Sequence, residues 1–172
     1  MDVEIVVRAF TRDDARAVRD LFIRVNRLLA PSEMAQAFED YIAASLIDEI
    51  DQIEEYYGAR DGGFWIAEQD GRLVGMFGLE ATSATSMELR RMYVDPDLHR
   101  RGVARKMLRH AEQECRKRKC QTLELSTSEL QSAAIALYRS AGYQLVREEV
   151  ALSASNKTLG GGIRRYHFVK QL

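Results

Sequence analysis

The chain has 172 residues, of which 46% are hydrophobic and 30% are charged, as in a soluble globular protein with a substantial core. Its net charge of −1, from 25 Lys and Arg against 26 Asp and Glu, argues against general nucleic-acid binding. No window holds the roughly 18 uninterrupted apolar residues of a membrane span, and the N-terminus lacks the pattern of a secretory signal. We therefore expect a single domain over residues 1–172 that is cytoplasmic and does not contact a membrane.

Cysteine and histidine usage gives no sign of a metal site. Cys115 and Cys120 do not have metal-ligand spacing, and two cysteines do not make a disulfide framework. His110 and His167 are interpreted as structural or surface residues. We expect reduced thiols and no metal.

The first third of the chain is predicted to be one strand and two helices. Residues 4–10 have a strand pattern, and Thr11 can cap the helix that follows. Pro31 marks a break. Apolar residues then recur along one helical face over residues 38–57, and Gly58 ends that helix.

Three strands are predicted next. The Asp70-Gly71 pair between strands over residues 64–68 and 73–79 is a strong hairpin signal. In the third strand, residues 87–94, the apolar positions slip by one from strict alternation. Such a slip predicts a β-bulge at Arg90-Arg91, and bulges are frequent beside active sites.

The last part alternates helices and strands. A helix begins near Gly102, a strand covers residues 122–126, and a short helix covers residues 134–141. Two final strands cover residues 143–152 and 163–169. The order β-α-α-β-β-β-α-β-α-β-β predicts an α/β fold, in which a mixed sheet carries helices on its faces.

Charge is unevenly distributed along the chain. Residues 28–59 hold eight carboxylates and no Lys or Arg, whereas residues 88–119 hold eleven Lys and Arg against five carboxylates. This pattern suits a protein that joins an anionic cofactor to a cationic substrate, with the acidic helix over residues 38–57 beside the acceptor. Two solvated helix faces would give the same pattern.

The turn from strand to helix over residues 94–105 has the features of an anion site. The first turn of a helix offers free backbone N–H groups and the positive end of the dipole. Gly102 and Ala104 let the backbone approach an anion, and Arg100, Arg101 and Arg105 add positive charge. A pyrophosphate fits this site, although a basic helix start with an ordinary turn would look similar.

This turn resembles the phosphate-binding loop of the GCN5-related N-acetyltransferase (GNAT) superfamily. The family pattern is Gln/Arg-x-x-Gly-x-Gly/Ala after a strand that ends Leu/Ile-x-Val-x-Pro. His99 stands where the family usually has Gln or Arg. The chain reads Met92-Tyr93-Val94-Asp95-Pro96, and after two further residues His99-Arg100-Arg101-Gly102-Val103-Ala104.

A second segment is similar to the same superfamily. A strand over residues 123–127 is followed by a short helix with Leu137 and Tyr138, and then by Gly142-Tyr143. Gln131 occupies a position that is often Asn in the family. The resemblance extends over residues 4–143 in order, so it implies the GNAT fold with a bulged, splayed central strand.

The resemblance implies that the chain binds acetyl-CoA as a cosubstrate, without a metal. Pantetheine would pair with the strand at Met92 and Val94, where a backbone N–H polarises the thioester carbonyl. The implied cofactor-binding residues are Met92, Tyr93, Val94, His99, Arg100, Arg101, Gly102, Val103, Ala104, Arg105 and Gln131.

Two residues are the candidates for catalysis. Tyr138 matches the helix tyrosine that protonates the leaving thiolate in the family, although a packed aromatic residue would give the same pattern. Glu88 aligns with the catalytic glutamate of the histone acetyltransferase branch, and partial burial would raise its pKa for work as a base. An exposed glutamate paired with an arginine is the alternative for Glu88. Glu80 is a weaker candidate base, and a base acting through water is common in the family.

We expect an acetyl-CoA-dependent N-acetyltransferase that acts on a primary amine of a small molecule or amino acid by direct attack. A protein or peptide N-acetyltransferase and a non-catalytic acyl-CoA sensor are the alternatives. The chain is also similar to the branch that includes cysteine S-conjugate N-acetyltransferases, which implies amino-acid acceptors, whereas the acidic helix favours cationic amines. Homodimers are common in the superfamily, so a homodimer is compatible with the resemblance.

Overall fold

The computed structural model describes residues 4–99, 101–155 and 158–172. It contains a seven-stranded sheet flanked by helices, as the sequence predicts. The strands are β1 (Val6–Ala9), β2 (Gly63–Gln69), β3 (Arg72–Ala81), β4 (Ser86–Val94), β5 (Thr122–Ser128), β6 (Gln144–Ala151) and β7 (Ile163–Gln171). The helices are α1 (Ala15–Leu29), α2 (Ala35–Asp48), α3 (Ile53–Gly58), α4 (Val103–Lys117) and α5 (Ser132–Ser140). Within the described ranges, no helix has the length and apolarity needed to cross a membrane.

The sheet is mixed, with the spatial order β1-β2-β3-β4-β5-β7-β6. Only the β4–β5 pair among these strands is parallel, and its two strands are connected through α4. One buried cluster joins α4 and α5 to one face of the sheet, around Met107, Leu123 and Phe168. Another cluster joins α1, α2 and α3 to the opposite face, around Phe22 and Tyr57.

The predicted hairpin and bulge are both present. Asp70 and Gly71 have φ angles of +51° and +73°, the left-handed pair that a two-residue hairpin turn requires. Arg90 of β4 pairs with Gly78 of β3, and Tyr93 pairs with Met76. The chain therefore advances three residues on β4 where it advances two on β3. The extra residue is Arg91, whose φ is +54°. The bulge therefore lies where the slip in apolar alternation places it.

The sheet opens between β4 and β5 just beyond the bulge. The two strands pair from Ser86↔Thr122 to Leu89↔Leu125 and no further, although both continue for several residues. The backbone of β4 after Leu89 therefore faces a gap. This is the splayed central strand that the resemblance implies.

The predicted single helix over residues 38–57 is wrong. Helix α2 ends at Asp48, a 3₁₀ turn covers Ile50–Gln52, and α3 follows. The break is at Glu49, where φ is −143° and ψ is −60°. This residue leaves the helical conformation and turns its carboxylate into the interior, where two arginines of β4 bind it. A local hydrophobic pattern does not contain that long-range pairing.

Candidate active site

The loop between β4 and α4 is anchored by a buried aspartate. Asp95 is only 2% exposed, and its carboxylate accepts hydrogen bonds from Arg72 at 2.7 Å and Arg24 at 3.2 Å. The same carboxylate accepts from the backbone N–H of Asp97 at 3.0 Å and so caps the short turn Pro96–Leu98. These bonds fix the path of the chain into α4.

The N-terminus of α4 is open to an anion. Gly102 precedes the helix with φ +80°, and a Cβ there would meet no atom within 4 Å. The N–H of Lys106 makes the first turn's bond to the Gly102 carbonyl at 3.0 Å, so the amides of Val103, Ala104 and Arg105 precede the intrahelical ladder. Gly102 provides no capping side chain. The positive end of the dipole and these amides suit a phosphate group.

A groove of about 590 Å³ runs from this helix start along β4 and between α4, α5 and α1. It is partly apolar, and its lining includes both the open helix N-terminus and Tyr138. The residues of the predicted cofactor site that line it are Met92, Tyr93, Val94, His99, Gly102, Val103, Ala104, Arg105 and Gln131. The groove therefore brings together most of the set that the sequence singles out.

The basic residues of the loop are arranged differently from one another. Arg105 lines the groove and donates a hydrogen bond to Ser140 Oγ at 3.0 Å. Arg101 instead lines a separate cavity between α4 and β1, with Lys106 and Arg109. The predicted cofactor contact at Arg100 lies outside the described residues.

A second, smaller cavity of about 80 Å³ occupies the gap between β4 and β5. It shares Met92, Tyr93, Gln131 and Tyr138 with the groove, so the two spaces meet at these residues. Its remaining lining residues are polar for the most part: Tyr41, Glu88, Leu89, Arg90, Arg91, Ser126, Thr127 and Arg165. A ligand in the groove and a ligand in the smaller cavity would meet beside the bulge.

Tyr138 lies at the point where the two spaces meet. The side chain is 6% exposed, and its hydroxyl donates to Met92 Sδ at 3.8 Å. Its ring packs against Tyr143 and Phe168, with centroid distances of 5.9 and 6.1 Å. Burial raises the pKa of Tyr138 well above its usual value, so the phenol is protonated at neutral pH and available as a donor. The ring is thus both a packed aromatic and a hydroxyl directed at the junction.

Glu88 also lines the small cavity. Its side chain is 20% exposed, and Oε1 is 3.9 Å from Arg90 Nε. This carboxylate therefore lines the cavity and also lies near an arginine. Glu80, the weaker candidate, is 5% exposed and lies 3.5 Å from both Arg90 and Arg60. The geometry favours Glu88 because Glu80 is not among the lining residues.

The bulge is supported from behind by Glu49. This fully buried carboxylate accepts from Arg91 at 2.9 and 3.2 Å and pairs with Arg90 at 2.9 Å. Tyr57 donates to the same carboxylate at 2.8 Å. Burial alone would raise the pKa of Glu49, but the charge and hydrogen bonds of Arg91, together with Arg90, outweigh it and lower that pKa.

The sequence analysis did not identify several residues of the small cavity. Tyr41 comes from α2, Ser126 and Thr127 from β5, and Arg165 from β7. Tyr41 accepts from Arg91 at 2.8 Å, and Thr127 donates to Gln131 Oε1 at 2.9 Å. Arg165 reaches this cavity because β7 pairs with β5. The local sequence around Arg165 does not predict that pairing.

Comparisons with known proteins point to one family. The family model described as "Acetyltransferase (GNAT) family" matches residues 27–143. The chain is 32% identical to the probable N-acetyltransferase family 8 member 5 of Mus musculus over 123 residues, which are 69% of this chain and 52% of that protein. It is 27% identical to the uncharacterized N-acetyltransferase YjgM of Escherichia coli, with 81% of each chain covered. The chain thus spans about half the length of the mouse relative.

A solved structure supports the fold. PaiA N-acetyltransferase from Thermoplasma acidophilum, in complex with coenzyme A, superposes with a TM-score of 0.74 at 19% identity. The match covers 98% of this chain and 99% of that one. The shared fold, the bulged and splayed β4, and a family model that spans 117 of 172 residues (27 to 143 inclusive) lead to one assignment. The chain belongs to the GNAT acetyltransferase family.

Proposed function

We propose that this protein is an N-acetyltransferase that moves the acetyl group of acetyl-CoA to a primary amine of a small molecule or amino acid. The observation that carries the proposal is the meeting of two spaces at Met92 and Tyr138. One space is the larger and includes an open helix N-terminus in its lining; the other is small and polar. This is the arrangement that a two-substrate transfer needs, because both reactants must reach one point.

The groove residues fit acetyl-CoA. The amides of Val103, Ala104 and Arg105 would hold the pyrophosphate, with the Arg105 side chain adding charge at the rim. Gly102 leaves the approach open, since no atom lies within 4 Å of a Cβ built there. Met92 and Val94 of the splayed strand would pair with the pantetheine chain. When bound, the cofactor supplies the acetyl group as an activated thioester.

The chain's own residues provide the remaining requirements of the transfer. The backbone N–H near Met92, beyond the bulge, would polarise the thioester carbonyl at the junction. Tyr138 is protonated and donates toward the same point, where a leaving sulfur needs a proton or a hydrogen bond. Glu88 lines the cavity and accepts the proton of an incoming ammonium, directly or through water.

Direct attack by the amine is favoured over an acetylated cysteine. Neither cysteine is among the described residues that line the two spaces. Cys115 lies on the buried face of α4, and burial raises the pKa of its thiol to about 12. A thiol in that state is a poor nucleophile at neutral pH.

The test combines a binding measurement with a turnover measurement. Calorimetric titration with acetyl-CoA establishes binding, and released CoA thiol is then followed across a panel of amino acids, polyamines and peptides. Mass spectrometry identifies the acetylated product and shows whether the protein itself becomes acetylated. We expect thiol release that depends on the added amine. We also expect that the protein itself does not become acetylated during the reaction. Binding of acetyl-CoA without turnover on any amine would instead indicate an acyl-CoA sensor.

A further inference from the structure

The small cavity is lined by both a carboxylate and a guanidinium. Glu88 comes from β4, and Arg165 comes from β7 across the gap, with both side chains in the same lining. The register Ser128↔Arg165 places this arginine directly beside the end of β5. A cavity with these two charges is complementary to a molecule that carries both an ammonium and an anion.

Arg165 has an unusual environment for an arginine in this structure. It is partly buried, and its Nη2 donates to Ser126 Oγ at 2.8 Å. Among the described residues, no carboxylate lies within the 4.0 Å of an ion pair with it. Burial is the main influence on Arg165 and lowers its pKa, but a guanidinium remains charged at neutral pH. The charges of Glu149 and Glu88 act on Arg165 only from beyond ion-pair distance, so an anionic ligand in direct contact would further stabilise this partly buried charge.

The neighbouring charged groups are already engaged. Glu149 is the cross-strand partner of Arg165, but its carboxylate lies 2.7 Å from His167 Nε2. Arg90 and Arg91 line the same cavity and share the buried carboxylate of Glu49. Arg165 therefore differs from the other two arginines of the cavity in the type of partner it has.

From this arrangement we infer that Arg165 binds a carboxylate of the acceptor, which is then an α-amino acid or a closely related amine. The inference rests on the proposed function. A guanidinium has five N–H donors, and the bond to Ser126 uses one of them, so a carboxylate can still be bound through two parallel hydrogen bonds. One carbon separates the amine of an α-amino acid from its carboxylate, so the bound carboxylate holds the amine near Glu88 and Tyr138.

Size and charge both disfavour a polyamine. A cavity of about 80 Å³ has room for a few water molecules, which is the scale of a headgroup. A second ammonium in this space would lie near the positive charge of Arg165, which disfavours it. The acidic segment does not change this, because Glu49 is buried and α2 contributes only Tyr41 to the lining. The structure thus argues against the cationic acceptor that the charge distribution along the sequence favours.

Matched pairs of amines test the inference on the wild-type protein. Ornithine and putrescine differ by one carboxylate, as do phenylalanine and phenethylamine, and an amino-acid amide removes the charge but keeps the shape. We expect kcat/KM to be about tenfold to a hundredfold higher for the carboxylate-bearing member, the range for a charged hydrogen bond. Equal or better use of the decarboxylated amines would overturn the inference.

Substitutions at Arg165 assign the preference to this residue. Arg165→Met removes the charge at similar length and should abolish the preference, mainly through KM for the amino acid. Arg165→Lys should restore part of it. Arg164→Met is the matched control, because Arg164 is exposed and pairs with Glu148 at 3.3 Å, outside the cavity. The melting temperature and the Kd for acetyl-CoA should be close to wild type in all three. A preference that persists in Arg165→Met would contradict the inference.

A binding measurement separates this inference from the proposed function. The protein saturated with CoA is titrated with amino acids by calorimetry, in wild type and in Arg165→Met. If no amine is acetylated but amino acids bind and the substitution removes binding, the proposed function fails and the carboxylate site stands. If polyamines or peptide amines are acetylated while amino acids neither bind nor react, the proposed function stands and the carboxylate site fails.

Discussion

Glu49 Oε2 accepts a hydrogen bond from Arg91 Nε at 2.9 Å, which ties the break between α2 and α3 to the bulge of β4. The carboxylate is fully buried, and the Arg91 side chain is 3% exposed. Arg91 has φ +54°, a conformation that is costly for a residue with a side chain. The ion pair therefore stabilises the strained residue that opens the sheet.

We predict that Glu49→Gln destabilises the fold by about 3 kcal/mol or more, because it removes the buried negative charge that Arg91 and Arg90 share. The free energy of unfolding from urea titration measures the change. Glu54→Gln is the matched control. Glu54 pairs with Arg12 at 2.8 Å on the surface, so its loss should cost at most about 1 kcal/mol. Equal losses in the free energy of unfolding from the two substitutions would show that the buried pair stabilises the fold no more than the surface pair does.

The pKa of Glu49 leads to a separate prediction on pH. Since the folded protein lowers this pKa below the usual 4.5, the ionised form stabilises the fold above that pH. The stabilisation is lost as pH falls below about 4.5 and through the folded-state value. Unfolding measured from pH 7 to pH 3 should therefore show a difference between wild type and Glu49→Gln that shrinks on acidification. A difference in the free energy of unfolding that stays constant or grows as pH falls would contradict the lowered pKa of Glu49.

Tyr138→Phe is predicted to lower kcat by about a hundredfold, the usual size of a lost general acid. The ring packing against Tyr143 and Phe168 is kept, so the Kd for acetyl-CoA and the melting temperature should hardly change. Tyr143→Phe is the control, because its hydroxyl donates to Glu112 at 3.1 Å, away from both spaces. An unchanged rate in Tyr138→Phe would refute the acid role and leave this residue a packing element.

Gly102→Ala is predicted to weaken acetyl-CoA binding roughly fivefold or more, since it disturbs the helix end that binds the pyrophosphate. Its left-handed φ should also cost about 1 kcal/mol of stability, because a Cβ is disfavoured there. Gly71→Ala is the matched control, because Gly71 has φ +73° and nothing lies within 4 Å of a Cβ built there. Unlike Gly102, it lies in the β2–β3 hairpin turn and not at the start of α4. It should lose similar stability and keep wild-type affinity. The same affinity in both variants would argue that α4 does not bind the cofactor.

Features set by local chemistry follow from the sequence, and features set by pairing across the fold do not. The turn at Asp70-Gly71, the start of α4 at Gly102 and the bulge on β4 depend on nearby residues, and each was predicted. The break at Glu49 depends on Arg90 and Arg91, about forty residues away, and was missed. Hydrophobic periodicity alone continues the helix through that position.

The candidate site shows the same division. Most of the groove residues belong to one segment around the β4–α4 turn, so their resemblance to a known family was visible in the sequence. Arg165 enters the cavity only through the pairing of β7 with β5. Its neighbours in sequence give no sign of that contact. The acidic segment over residues 28–59 was also visible in the sequence. One of its carboxylates, Glu49, is buried and paired with arginine, so it is not presented to a ligand.

The most direct test of the account is amine-dependent release of CoA thiol, measured beside acetyl-CoA binding in one preparation of wild-type protein. The account predicts saturable binding of acetyl-CoA and a rate of thiol release that rises with an added amino acid. The acetylated amino acid should appear in equal amount. Saturable binding with thiol release that stays at the protein-free rate for every amine and peptide would contradict it.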